Sequence, residues 1–85
     1  MSETQLREAI CSELAKLLKE LRIQRGLSMT KLAAKAGLSR PMISFVEQEL
    51  RNPTIDTLLR IASVLEVDLA DIIRQASKNA SRKQQ

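Results

Sequence analysis

The sequence predicts an all-α domain of five helices, and three observations carry that prediction. Apolar residues recur at steps of three and four, and no segment alternates apolar and polar residues with the period of two that a half-buried strand needs. A capping residue, Ser, Thr or Asp, stands just before each apolar run. Both glycines and Pro53 fall between the runs, where they punctuate the chain.

The first helix starts at the capping-box sequence Ser2-Glu3-Thr4-Gln5 and stops at Gly26, so it spans about Glu3 to Gln24 with Leu6, Ile10, Leu14, Leu17, Leu18 and Leu21 along one stripe. This is longer than the usual three turns, which makes residues 1–12 an N-terminal extension. Its Leu6 and Ile10 are placed to pack over the fifth helix or a second subunit, and Cys11 beside them reads as a small core residue. Ser28 caps the second helix, Met29 to about Lys35, with Leu32 and Ala36 turned inward. Gly37 ends it in the left-handed conformation, and Leu38 is the buried residue of the turn. Ser39 caps the third helix, with Pro41 in its first turn where a missing N–H costs nothing. After the Asn52-Pro53 break Thr54 caps the fourth helix, with Asp56 in its first turn and Leu58, Ile61, Ala62 and Leu65 as its core stripe. Glu66-Val67 is a tight connection; Asp68 caps the fifth helix, whose face is Leu69, Ile72 and Ile73. One domain therefore covers residues 1–76, and residues 77–85 read as a polar, basic, flexible tail.

Composition narrows the function. Eighty-five residues make one small domain, and 44% apolar residues suffice for a core. The single Cys11 cannot form an internal disulfide. With no His and only two Gly, the chain offers no imidazole base, no His/Cys metal cluster and no phosphate-cradling loop. The expectation is a non-enzymatic module without cofactor, metal or small-molecule ligand. No run is long enough for a membrane span and no signal-peptide pattern opens the chain, so the expected location is the cytoplasm.

Charge points to a partner. Between Arg22 and Arg51 stand six cations (Arg22, Arg25, Lys31, Lys35, Arg40, Arg51) and two acids (Glu47, Glu49), whereas the rest of the chain carries eight of each. The whole net charge of +4 thus sits in the middle third, which suits a polyanion, most often nucleic acid. The short Gly37-Leu38-Ser39 joint forces its two helices to cross steeply, with Ala33 and Ala36 permitting close approach and Leu32, Leu38, Ile43 and Val46 sharing one core. That is the arrangement of a helix-turn-helix DNA reader.

On a helical wheel Ile43 and Val46 mark the inner side of the third helix, with Pro41, Ser44, Phe45 and Gln48 opposite and Arg40 at the leading end. Arg40 suits a bidentate contact to guanine, Ser44 a base or phosphate, and Gln48 the DNA backbone. Phe45 suits a thymine methyl group, packing against Met29, or a shared protein-binding patch with Met29.

From Leu17 to Ile73 the chain resembles the Cro/repressor-type (Xre-like) helix-turn-helix regulators. The resemblance rests on residues 21–28, 32–39, 43–47, 51–54 and 57–62, five stretches in register over some two-thirds of the chain. It implies a five-helix DNA-binding domain whose second and third helices form the helix-turn-helix, acting as a homodimer on an inverted repeat of double-stranded DNA. It implies a structural ion pair between Arg22 and Glu47, base reading by Arg40, Pro41, Ser44 and Phe45, and backbone contacts from Ser39, Gln48, Arg51, Asn52, Lys31 and Lys35. Two positions depart from the pattern: Met29 replaces a phosphate-binding glutamine, and Glu49-Leu50 replaces glycine followed by a basic residue. Both changes argue for weaker DNA affinity. The competing reading is a protein-interaction module on the same fold, with Met29, Phe45 and Leu50 as its apolar surface.

Overall fold

A helix leaves the N–H groups of its first turn unpaired, and in this chain a polar side chain meets them at every start. Ser2 Oγ accepts from the Gln5 N–H at 3.1 Å while Gln5 Oε1 accepts from the Ser2 N–H at 3.0 Å, a full capping box for α1 (Glu3–Gln24). Ser28 takes the Lys31 N–H for α2 (Met29–Ala36), and Ser39 takes the Met42 N–H for α3 (Arg40–Glu47). Thr54 takes the Thr57 N–H for α4 (Ile55–Leu65), and Asp68 takes the Ala70 N–H ahead of α5 (Leu69–Arg82). The computed structural model describes residues 2–49 and 52–82, and among these the five helices are joined by turns without any strand.

Gly37 closes α2 at φ 70°, in the left-handed region, and its N–H reaches back to the Ala33 carbonyl. The same backbone shape recurs at Glu66 after α4 (φ 59°) and at Glu49 just after α3 (φ 60°), where a side chain carries the strain that glycine avoids.

The core lies where α2, α3 and α4 converge on the C-terminal half of α1. Leu32, Ile43, Ile61 and Leu65 are its largest fully buried side chains, with Leu18, Ala33, Val46, Leu58, Ala62 and Leu69 around them. Leu38, expected as the buried residue of the turn, packs against this core while remaining partly exposed. Arg25 Nε donates to the Leu65 carbonyl at 3.0 Å, so the end of α4 is fastened to the end of α1. Because α5 starts there and packs extensively along α1, it returns antiparallel to it. Ala76 and Ala80 are fully buried on that helix, and their small side chains let the two approach closely.

Two expectations are corrected here. The tail does not begin at Ser77: α5 continues to Arg82, because the buried Ala76 and Ala80 stand one turn apart and keep the helix seated on α1. Residues 83–85 lie outside the described residues. Cys11 is not a core residue; it is exposed, at the rim of a cleft of about 140 Å3 lined by Leu14, Ala15, Leu18, Val46 and Leu58. No helix among the described residues is long and apolar enough to cross a membrane.

Candidate nucleic-acid interface

The outward side of α3 is defined by what its inward side buries. Ile43 is 0% and Val46 4% exposed, which turns Arg40, Pro41, Ser44 and Gln48 away from the core. Arg40, Pro41 and Gln48 are exposed, and Ser44 and Phe45 are half-buried. Arg40, Ser44 and Gln48 follow one another at four-residue spacing and form a single ridge.

Arg22 holds this helix in place. Its Nε donates to Glu47 Oε2 at 2.7 Å and its Nη2 to Glu47 Oε1 at 3.0 Å, a two-pronged carboxylate contact. Its Nη1 donates to the Leu27 carbonyl at 2.8 Å. The side chains are only 10% and 4% exposed, so α1, the α1–α2 turn and the last turn of α3 are locked together out of water.

The polar candidates divide by what already engages them. Ser39 Oγ accepts from the Met42 N–H, so its lone pair serves the cap, while the hydroxyl proton remains for another acceptor. Gln48 Nε2 donates to Ser44 Oγ at 2.6 Å, which couples the two side chains on the outward ridge. Lys31 and Lys35 are exposed on α2, and Asn52 is exposed after α3. Arg51, expected at the backbone, lies outside the described residues, as does Leu50. Met29 is partly buried against the core, which draws it away from the apolar surface of the competing reading.

Residue-by-residue reading of the sequence missed three contacts. Arg25 reaches the Leu65 carbonyl, Arg60 Nη1 reaches the Ala36 carbonyl at 3.5 Å, and Ser12 Oγ donates to Glu49 Oε2 at 3.2 Å. The first two end on backbone carbonyls, which every residue carries, so no residue type marks them in advance. The third ties the N-terminal extension to the strained residue that follows α3. Among the described residues no group of His, Cys, Asp and Glu could hold a metal ion.

With this geometry in hand, similarity to known proteins becomes informative. The chain is 38% identical over 66 residues to the HTH-type transcriptional regulator SutR of Escherichia coli (strain K12), a match covering 78% of this chain and 37% of that protein. It is 33% identical over 57 residues to the HTH-type transcriptional regulator SinR of Bacillus subtilis (strain 168), covering 66% of this chain and 51% of SinR. The chain thus spans about half the length or less of these relatives. Among solved structures, the wild-type restriction-modification controller protein C.Esp1396I superposes with a TM-score of 0.75 at 30% identity, over 86% of this chain and 95% of that one. SinR in complex with DNA superposes with a TM-score of 0.67 at 31% identity, over 71% of this chain and 97% of that one. The sequence pattern of the helix-turn-helix family covers residues 18–72, from the C-terminal half of α1 into α5, and the chain belongs to that family.

Proposed function

We propose that the chain is a sequence-specific, double-stranded-DNA-binding transcriptional regulator, acting as a homodimer on an inverted repeat with α3 in the major groove. The observation that carries this reading is the outward ridge of α3, kept proud of the core by the buried Arg22–Glu47 pair. A rigidly held polar helix at the centre of the chain's positive charge is suited to reading base edges while nearby cations meet phosphates. The relatives carry the name transcriptional regulator, and SinR has been solved on DNA. In this role Arg40, Pro41, Ser44 and Phe45 face bases, and Ser39, Gln48, Arg51, Asn52, Lys31 and Lys35 face the backbone. The role needs no catalysis and belongs in the cytoplasm.

Selection from random duplexes at two ionic strengths tests it. The expected result is an enriched inverted repeat, with half-sites about one helical turn, roughly 34 Å, apart, and retention that falls steeply with salt. Arg40→Ala relaxes the preference at one base pair per half-site, whereas Arg51→Ala weakens all sequences alike. Failure to retain any duplex at low salt overturns the reading.

A further inference from the structure

Between α1, α3 and the start of α4 lies the cleft of about 140 Å3. Its walls are apolar: Leu14, Ala15 and Leu18 come from α1, Val46 from α3, Leu58 from α4, and Pro53 from the segment between the last two. Ala15, Leu18, Val46 and Leu58 are buried, so the floor of the cleft is the core itself. Cys11, Glu49 and Asn52 also line it and are exposed, which places them at its mouth. The same three residues border a wider hollow that opens past Arg7 and Glu8 on the first turns of α1, so the mouth is reached from solvent. Among the described residues lining the cleft, Glu49 carries the one charge. Its Oε2 accepts from Ser12 Oγ at 3.2 Å, and its backbone is held in the left-handed region at φ 60°.

We propose that this cleft binds a small amine, an apolar body the size of one ring bearing one ammonium, and that the bound amine strengthens DNA binding. The site stands on the cleft alone, whereas its effect on DNA rests on the function proposed above. Size and polarity select the body, since an apolar cavity of about 150 Å3 takes a benzene-sized guest. Charge selects the head: a carboxylate at the mouth of an apolar slot favours an ammonium over a hydroxyl and repels a second carboxylate. Apolar walls with a few polar groups that fix orientation are the general composition of a small-molecule site. The consequence for DNA follows from position. Glu49 comes directly after Gln48, the C-cap of α3, and shares with Asn52 the segment that the proposed function sets against the DNA backbone, where its charge opposes phosphates. An ammonium beside it cancels that charge, and amine and DNA then raise each other's affinity by the same factor.

Methyl NMR of the full chain, titrated separately with benzylamine, benzyl alcohol and benzoate, tests the site. Benzylamine is expected to shift the Leu14, Leu18, Val46 and Leu58 methyls together and to bind about tenfold more tightly than benzyl alcohol, with benzoate weakest. Glu49→Gln, a change at an exposed residue, erases the preference for the amine while the alcohol still binds. Ala15→Leu fills the cleft and abolishes both. On a duplex retained at low salt, benzylamine is expected to tighten wild-type binding about two- to threefold, whereas Glu49→Gln starts tighter by a similar factor and no longer responds. An amine acting only as added salt would weaken both proteins alike. Equal binding of amine and alcohol, or shifts confined to residues away from the cleft, overturns the site. Amine binding that leaves duplex retention unchanged or weakens it overturns the coupling. Cleft shifts in a chain that retains no duplex overturn the DNA reading and leave the site standing.

Discussion

Arg22 makes three hydrogen bonds from one guanidinium, two to Glu47 and one to the Leu27 carbonyl, in a site nearly closed to water. Removing it leaves a buried carboxylate without its partner, so Arg22→Ala is expected to destabilise the domain by about 3 kcal/mol in denaturant unfolding. Arg22→Lys restores little of this, since an ammonium cannot present the planar fork that meets both carboxylate oxygens. Glu66 makes the opposite case. Its φ of 59° holds a residue with a Cβ in the left-handed region, and Glu66→Gly is expected to stabilise by about 0.5–1 kcal/mol, seen as a raised melting temperature. Glu49→Gly gains less, because it also gives up the bond from Ser12. At this scale the sequence showed the caps directly, since Ser28, Ser39 and Thr54 are recognisable by type and position. Arg22 and Glu47, 25 residues apart, were matched only through the family resemblance. The Arg25–Leu65 and Arg60–Ala36 contacts were invisible, because their acceptors are backbone.

Among the elements, the α2–α3 turn is the most constrained. Gly37 sits at φ 70°, and a Cβ there would come to 3.1 Å from Arg60 Nη1. The guanidinium can swing aside, so the backbone strain dominates, and Gly37→Ala is expected to lose about 1 kcal/mol by thermal unfolding. The α1–α5 pair is constrained differently, through small side chains. Ala76→Leu forces extra volume between closely spaced helices and is expected to lose about 1–3 kcal/mol in the same measurement. The first four helices were readable from periodicity because their faces carry Leu and Ile. The last two turns of α5 were not, because their buried positions are alanines set among polar residues. The Ala76–Ala80 spacing was the available signal. Cys11 is exposed for a related reason: the apolar stripe beside it faces more than one neighbour, and periodicity does not say where one contact surface ends.

For the whole molecule, the location of positive charge was legible and its use was not. Counting residues assigns six cations to the stretch from Arg22 to Arg51. Folding takes one of them out of play as a neutralised internal pair and anchors another at the α4–α5 corner; Lys31, Lys35 and Arg40 are exposed, and with Arg51, which lies outside the described residues, they make the set of four that the proposed function turns to phosphates. Counter-ion displacement by that set has a ceiling of four phosphates per chain, so the logarithm of affinity should drop with the logarithm of salt no more steeply than about −3.6 for each operator half. A titration of a bound oligonucleotide with potassium chloride reads this number directly. Arg22→Gln should leave that gradient unchanged while loosening binding overall, because its partner is a carboxylate inside the protein and never a phosphate outside it.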